Sequence, residues 1–392
     1  MSNMDIEMQK VSREILINEL GSSTEERVAW FHHMQKTQPI RYRPEYNLWE
    51  VYRYKDAQQV LSDWATFSIE KNFPEDLPFL LGKSDPPRHR QLRSLVSKAF
   101  APRRIEGLTP HFIQIVDGLL EPAKVLGKMD VIAEFAYPLP VRVMAEMLGL
   151  PLSDQERFLQ WSYQLLGQMI GVSDPDNSEL VHYFSELLNE RKSQPRDDFI
   201  SALLEAEENG AHLTHEEILN LCMEMMMVGN VTTTWLLSWI IHRLCLHPEI
   251  YQDLRADPSL IPGAVEETLR YDFSSFDLWR SARHDTVLDG QEIKAGQYVL
   301  ARISAANFDE TYFPHSEQFD IRRSPNPHLT FGHGGHSCLG VLVARSEVRT
   351  ALERIVAHFS EIRPDPEKPV QYTDHSRTAG FIQSLSVLFT PS

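Results

Sequence analysis

Cys338 lies near the end of Phe331-Gly-His-Gly-Gly-His-Ser-Cys-Leu-Gly340, a stretch in which four of ten positions are glycine. The residues after it carry apolar side chains at Val341, Ala344, Val348, Ala351, Leu352, Ile355 and Phe359, close to the i, i+3, i+4, i+7 repeat of a half-buried helix. The pattern places one thiol at or just before a helix N-terminus, where unpaired N–H groups and the positive end of the dipole favour thiolate over thiol. Gly334 and Gly340 suit positive φ or the close approach of a large flat group to the backbone. Residue chemistry leaves a structural reading, a buried cysteine in a tight turn, and a metal reading. Zinc would draw on His333, His336 and Cys338, yet no second ligand pair at finger spacing is present, and Cys222 and Cys245 lie in remote helical segments.

The third reading is a haem iron with an axial thiolate. Phe331, Gly334, Cys338 and Gly340 match the pattern F-x-x-G-x-x-x-C-x-G, and the stretch resembles the haem-binding signature of the cytochrome P450 family. From about Ile40 to the C-terminus the other motifs follow in that family's order. The resemblance implies haem b (iron protoporphyrin IX) with Cys338 as its metal ligand and Phe331, Gly334 and Gly340 shaping the loop. Haem propionates need cationic or hydrogen-bonding partners. Asp85-Pro-Pro-Arg-His-Arg-Gln-Leu-Arg93 looks like the segment that supplies two of them, with His89 and Arg93 on one helical face; Arg280 and His336 match the other two positions.

Glu267 and Arg270 stand three apart on an expected helix and share a face. An isolated pair of this kind is ordinarily solvated. The resemblance implies a buried structural triad with Arg323 that holds the cysteine loop in register. In Met225-Met-Met-Val-Gly-Asn-Val-Thr-Thr-Thr-Trp235, period alone indicates a buried core helix, running to about His247 before Pro248. In the family this helix crosses the distal face of the haem. Gly229 matches the glycine that gives dioxygen room, and Thr232 the threonine of a proton relay, but the acid that normally precedes it is Val231. Valine neither donates nor accepts a proton. Three outcomes are left open. Protons arrive through Thr232, Asn230, Thr233, water or a substrate hydroxyl; the enzyme uses peroxide or performs an atypical oxidation such as coupling or desaturation; or the chain is a haem-based binding or sensing protein.

Substrate-facing segments follow from the resemblance only in outline. Phe79, Leu80, Met226, Phe276, Leu278, Phe381 and Ile382 are the expected pocket residues, apolar and aromatic, which suits a hydrophobic small molecule, one of secondary metabolism. Arg88, Arg90, Lys98, Arg103 and Arg104, with Arg345 and Arg349, form an expected basic patch that would steer an acidic ferredoxin or flavodoxin, itself served by a reductase. The function implied is monooxygenation, most simply hydroxylation, with dioxygen as oxidant.

The chain has 392 residues, 42% of them hydrophobic, and a net charge of −17. No Gly/Ser linker or repeat divides it, so a single large domain over 1–392 is expected, with residues 1–20 a loosely ordered N-terminal segment. Short alternating runs at Ile40–Tyr54 and Asp285–Arg302, with turns at Asp289-Gly290 and Ala295-Gly296, indicate strands; between them lie long helical segments broken at prolines. The expected fold class is mainly α with a minor β part, the cytochrome P450 fold. The acidic balance argues against nucleic acid and anionic membranes as partners, and three cysteines cannot make a disulfide framework. A monomer in the cytoplasm is expected.

Overall fold

Breaks in helical period, rather than any linker, set the layout of the chain. The computed structural model describes residues 23–70, 80–97, 100–169, 176–208, 211–272, 277–372 and 382–392. They cluster into two compact units. One comprises Met1–Pro74, Ser238–Cys338 and Arg363–Leu385; the other comprises Glu75–Leu237, Leu339–Ile362 and Ser386–Ser392.

The first unit holds a five-stranded sheet ordered Ile40–Arg43, Leu48–Val51, Tyr298–Ala301, Leu278–Ala282, Phe67–Ser68. Leu48–Val51 runs parallel to Tyr298–Ala301, and the remaining pairs are antiparallel. A separate hairpin, Thr286–Leu288 with Gln291–Ile293, turns at Asp289 and Gly290, which take positive φ of 44° and 81°, and Gly296, just before Tyr298–Ala301, takes 81°, where glycine costs least. The strand Leu278–Ala282 places Arg280 opposite Val299. Glu50, with no exposed surface, accepts from Arg41 and Arg43 and pairs with Arg302, which also reaches Asp277 at 2.8 Å. Burial pushes the Glu50 carboxyl up, but the guanidiniums, Arg302 foremost, prevail and hold it at about 2. Helices Thr24–Thr37, Tyr54–Ser62, Pro248–Ala256 and Ile261–Tyr271 belong to this unit. The first opens on a capping box between Ser23 and Glu26.

The second unit is mainly helical, with short strands such as Lys128–Asp130 and Ser386–Pro391 paired antiparallel. Arg88–Ser97, Pro102–Leu126, Pro138–Leu148, Gln155–Met169, Ser178–Ser193 and Phe199–Glu205 precede a helix of 32 residues, His215–Leu246, whose last nine residues belong to the first unit. Val341–His358 packs along Pro102–Leu126, and Arg354 forks onto Asp117 at 2.7 and 2.9 Å. Proline marks starts as expected at Pro248, Pro258 and Pro262. Pro110 and Pro122, however, lie inside a helix. No helix among the described residues is long and apolar enough to cross a membrane.

Candidate active site

In the first unit the cysteine loop is fixed from below by buried polar groups. Glu267 and Arg270 have no exposed surface. Arg270 grips Glu267 with two hydrogen bonds, 2.9 and 2.7 Å, and spends its other N–H groups on the carbonyls of Asn307, Ser316 and Gln318 at 2.9–3.0 Å. Glu267 also accepts from Arg323 Nε at 3.2 Å, the Asp320 amide at 2.9 Å and Asn326 Nδ2 at 3.0 Å. The three sequence-predicted members of the triad are therefore together, in a low-dielectric setting where a fully satisfied network specifies one arrangement. Gly263 lets the helix come close, since a Cβ there would meet the Ile321 carbonyl at 2.1 Å.

From this base the chain climbs to the sulfur. The Leu329 amide donates to Asn307 Oδ1 at 2.8 Å, Asn307 Nδ2 donates to Thr330 Oγ1 at 3.0 Å, and Thr330 donates to the Leu269 carbonyl at 2.7 Å. Gly332 and Gly334 take φ of 70° and 74°, and a Cβ on Gly334 would sit 2.9 Å from the Cα of Ser62. Gly334 is thus required by both conformation and space. Gly340 has φ −80° and is the N-cap of Val341–His358, so positive φ is not its role. The Cys338 amide donates to the Phe331 carbonyl at 2.7 Å, closing the loop. Cys338 itself is exposed, whereas Cys222 and Cys245 are buried; burial drives the Cys222 thiol well up and the Cys245 thiol to about 12. Only one of the three sulfurs is thus presented for chemistry. Arg280 is buried on its strand and His336 is half-buried in the loop.

This donor set fits a haem and not a zinc ion. Zinc needs three or four protein donors, and no group of three or more His, Cys, Asp or Glu side chains able to hold a metal occurs among the described residues. An iron porphyrin needs a single protein ligand on one face, and Cys338 offers one.

In the second unit, His89 is buried on Arg88–Ser97, with Arg93 one turn on and half-buried. The long helix is buried nearly all round, apart from one stripe. Val228 is 37% exposed, Thr232 and Trp235 are half-buried, and these positions recur at i, i+4, i+7. Thr232 Oγ1 donates to the Val228 carbonyl at 3.0 Å. Val231 is buried beside the stripe, while Asn230 points the opposite way and donates to Ser162 Oγ at 2.5 Å. Gly229 meets the methyl of Met144, which a Cβ would approach to 2.4 Å. On that side the glycine accommodates helix packing. Met226 has no exposed surface.

Among the other expected pocket residues, Leu80 and Leu278 are half-buried and Ile382 is buried. Phe79, Phe276 and Phe381 lie outside the described residues, as do residues 1–20 and Lys98. The expected basic patch is partly neutralised. Arg88 pairs with Glu217, Arg104 with Asp197 and Arg349 with Glu353. Sequence reasoning missed Glu224, whose carboxylate accepts the amides of Leu80, Leu81 and Gly82. It also missed Asn307 and Asn326. No local signal marks any of them, because their partners lie tens of residues away.

The chain is thus mainly helical with small sheets and carries one exposed thiol, Cys338, on a loop anchored by buried hydrogen bonds. The family model described as Cytochrome P450 matches residues 165–385. The chain is 36% identical to cyclomarin C epoxidase CymV of Salinispora arenicola, over 92% of this chain and 95% of the relative. It is 37% identical to erythromycin C-12 hydroxylase of Saccharopolyspora erythraea, over 86% and 88%. The crystal structure of CYP109E1 from Bacillus megaterium in complex with testosterone superposes with a TM-score of 0.84 at 32% identity, covering 92% of this chain and 98% of that one. The chain belongs to the cytochrome P450 family and is a monooxygenase, an oxidoreductase of the bacterial type. The family implies a haem iron, dioxygen and electron-donor proteins.

Proposed function

We propose that this enzyme oxidises a hydrophobic small molecule of secondary metabolism, most simply by hydroxylation, with haem b ligated by Cys338. The observation that carries the reading is the exposed Cys338 thiol on a loop anchored to the buried Glu267–Arg270–Arg323 network. Arg280, His336, His89 and Arg93 are the proposed propionate partners. When bound, the haem supplies activation of dioxygen with electron push from the thiolate. Two relatives are named as an epoxidase and a hydroxylase, which supports oxygen insertion here. Cytoplasmic location and a monomeric state are part of the same proposal.

The residues of the long helix define how protons are handled. Val231 carries no proton, and the Asn230 amide is committed to Ser162. Thr232 remains the hydroxyl on the open stripe, and release of its bond to the Val228 carbonyl frees it to donate toward the site. Its protons would be replenished by water or by a substrate hydroxyl. Ferredoxin or flavodoxin is the proposed electron donor, steered by the basic patch of Arg88, Arg90, Lys98, Arg103, Arg104, Arg345 and Arg349. Val231 also favours a second reading, oxidation driven by hydrogen peroxide, which brings its own protons.

One experiment separates them. Hydrophobic compounds are screened for a low-to-high spin shift of ferric iron, and binders are then supplied either with ferredoxin, reductase and NAD(P)H or with peroxide alone. Product from the electron-transfer system supports the first reading; product with peroxide alone supports the second; spin shifts without product under either supply refute both.

A further inference from the structure

Glu224 is a carboxylate buried to within 3% of full enclosure in the long helix His215–Leu246. Its Oε2 accepts the amides of Leu80 and Leu81, both at 2.9 Å, and its Oε1 accepts that of Gly82 at 2.8 Å. Three successive backbone donors converge on one anion, an arrangement that otherwise serves to bind anionic ligands. Here the anion belongs to the protein and the chain is what is held. The turn is reinforced by Ser84, which donates to the Leu80 carbonyl at 2.6 Å.

The position of Glu224 gives the contact a consequence. Glu224, Val228, Val231 and Trp235 follow at i, i+4, i+7 and i+11 on one side of the helix, and Val228 and Trp235 belong to the open stripe. The carboxylate therefore ties residues 80–82 to the helix one turn before that stripe. Leu80, half-buried, is one of the expected pocket residues, and a few residues on begins the helix that carries His89. Burial outweighs the three amides and leaves the Glu224 carboxyl above its ordinary range, while the hydrogen bonds from those amides are strongest to the ionised form.

We propose that Glu224 is a positioning residue for substrate specificity: by clamping the backbone of residues 80–82 it sets where Leu80 stands beside the open stripe of the long helix. The role rests on the reading of the chain as a haem enzyme, but the clamp itself does not. An ordinary buried glutamate would support stability alone. A clamp controls discrimination between large and small ligands, because a preorganised wall helps only ligands that reach it.

The test compares wild type with Glu224→Gln and Glu224→Ala. Hydrogen exchange at Leu80, Leu81 and Gly82 should be faster in Glu224→Ala by about tenfold or more, with Glu224→Gln between, since one amide oxygen still accepts. Binding is read optically with imidazole as the small ligand and clotrimazole as the bulky one. Clotrimazole affinity should fall about five- to tenfold in Glu224→Ala while imidazole affinity changes less than about twofold. Wild-type exchange rates in Glu224→Ala would overturn the clamp. Equal weakening of both azoles would overturn the specificity role. If Glu224→Ala does not fold, Glu224→Gln carries both readouts in the same directions. A wild-type chain that takes up no haem would fail the functional reading, and the exchange rates would still decide the clamp.

Discussion

Replacing Arg270 with alanine removes the centre of the network beneath the cysteine loop. Glu267 would keep Arg323, the Asp320 amide and Asn326 but lose its two-pronged partner in a site without solvent, and the carbonyls of Asn307 and Ser316 would lose the Arg270 donor, while that of Gln318 keeps Arg323 Nη2 at 3.1 Å. Removing one partner of a buried ion pair costs about 3–5 kcal/mol, and each of the two orphaned carbonyls about 1 kcal/mol, so the loss is on the order of 5–7 kcal/mol. That is comparable to the whole stability of a typical domain, about 5–15 kcal/mol. Arg323→Ala should be milder, about 1–3 kcal/mol, because the Arg323 side chain keeps 9% exposure and Arg270 still holds Glu267. The assay is soluble yield, haem per chain and the urea midpoint of each variant. Arg270→Ala is expected to be insoluble or haem-free, with Arg323→Ala folded but weakened. A haem-loaded Arg270→Ala protein with a wild-type midpoint, or an Arg323→Ala protein worse than it, would refute the reasoning.

If proton supply limits turnover, Val231→Glu should lower the hydrogen peroxide released per NADPH by about two- to tenfold; equal or greater release would mean that a working relay is already in place. Glu347 is buried and its carboxyl lies well above the ordinary range for that reason alone. The folded chain thus keeps a proton that the unfolded chain releases, so stability is greatest in acid and falls as pH rises from the unfolded pKa toward the folded one, by up to about 1.4 kcal/mol per pH unit. Glu347→Gln removes that slope, and its urea midpoint should gain on wild type as pH rises above the ordinary carboxyl range; parallel curves would contradict this.

The parts of the structure legible in the sequence are those with short-range causes. The helix after Cys338 shows in its apolar repeat, the strands at Thr286–Leu288 and Gln291–Ile293 show in Asp289-Gly290, and the Glu267–Arg270 pair shows in its spacing. Arg323 could be placed only through the resemblance, since it lies 56 residues from Glu267. What stayed hidden depends on distant partners. Nothing near Asn230 says that Ser162 takes its amide, and nothing near Gly229 says that Met144 fills the space beside it. The Arg302–Glu50–Asp277 cluster looks, in sequence, like three surface charges. Pro110 and Pro122 look like breakers but sit within a helix held by its packing against Val341–His358.

The central claim is that Cys338 sulfur is the iron ligand. The carbon monoxide adduct of the reduced protein tests it most directly, recorded for wild type and for Cys338→His. Wild type should show the long-wavelength band of thiolate ligation, and the variant should lose it for the shorter-wavelength band of imidazole ligation. A wild-type protein that stays colourless after hemin is supplied, or that gives the imidazole band, would contradict the account, as would a thiolate band that persists in Cys338→His.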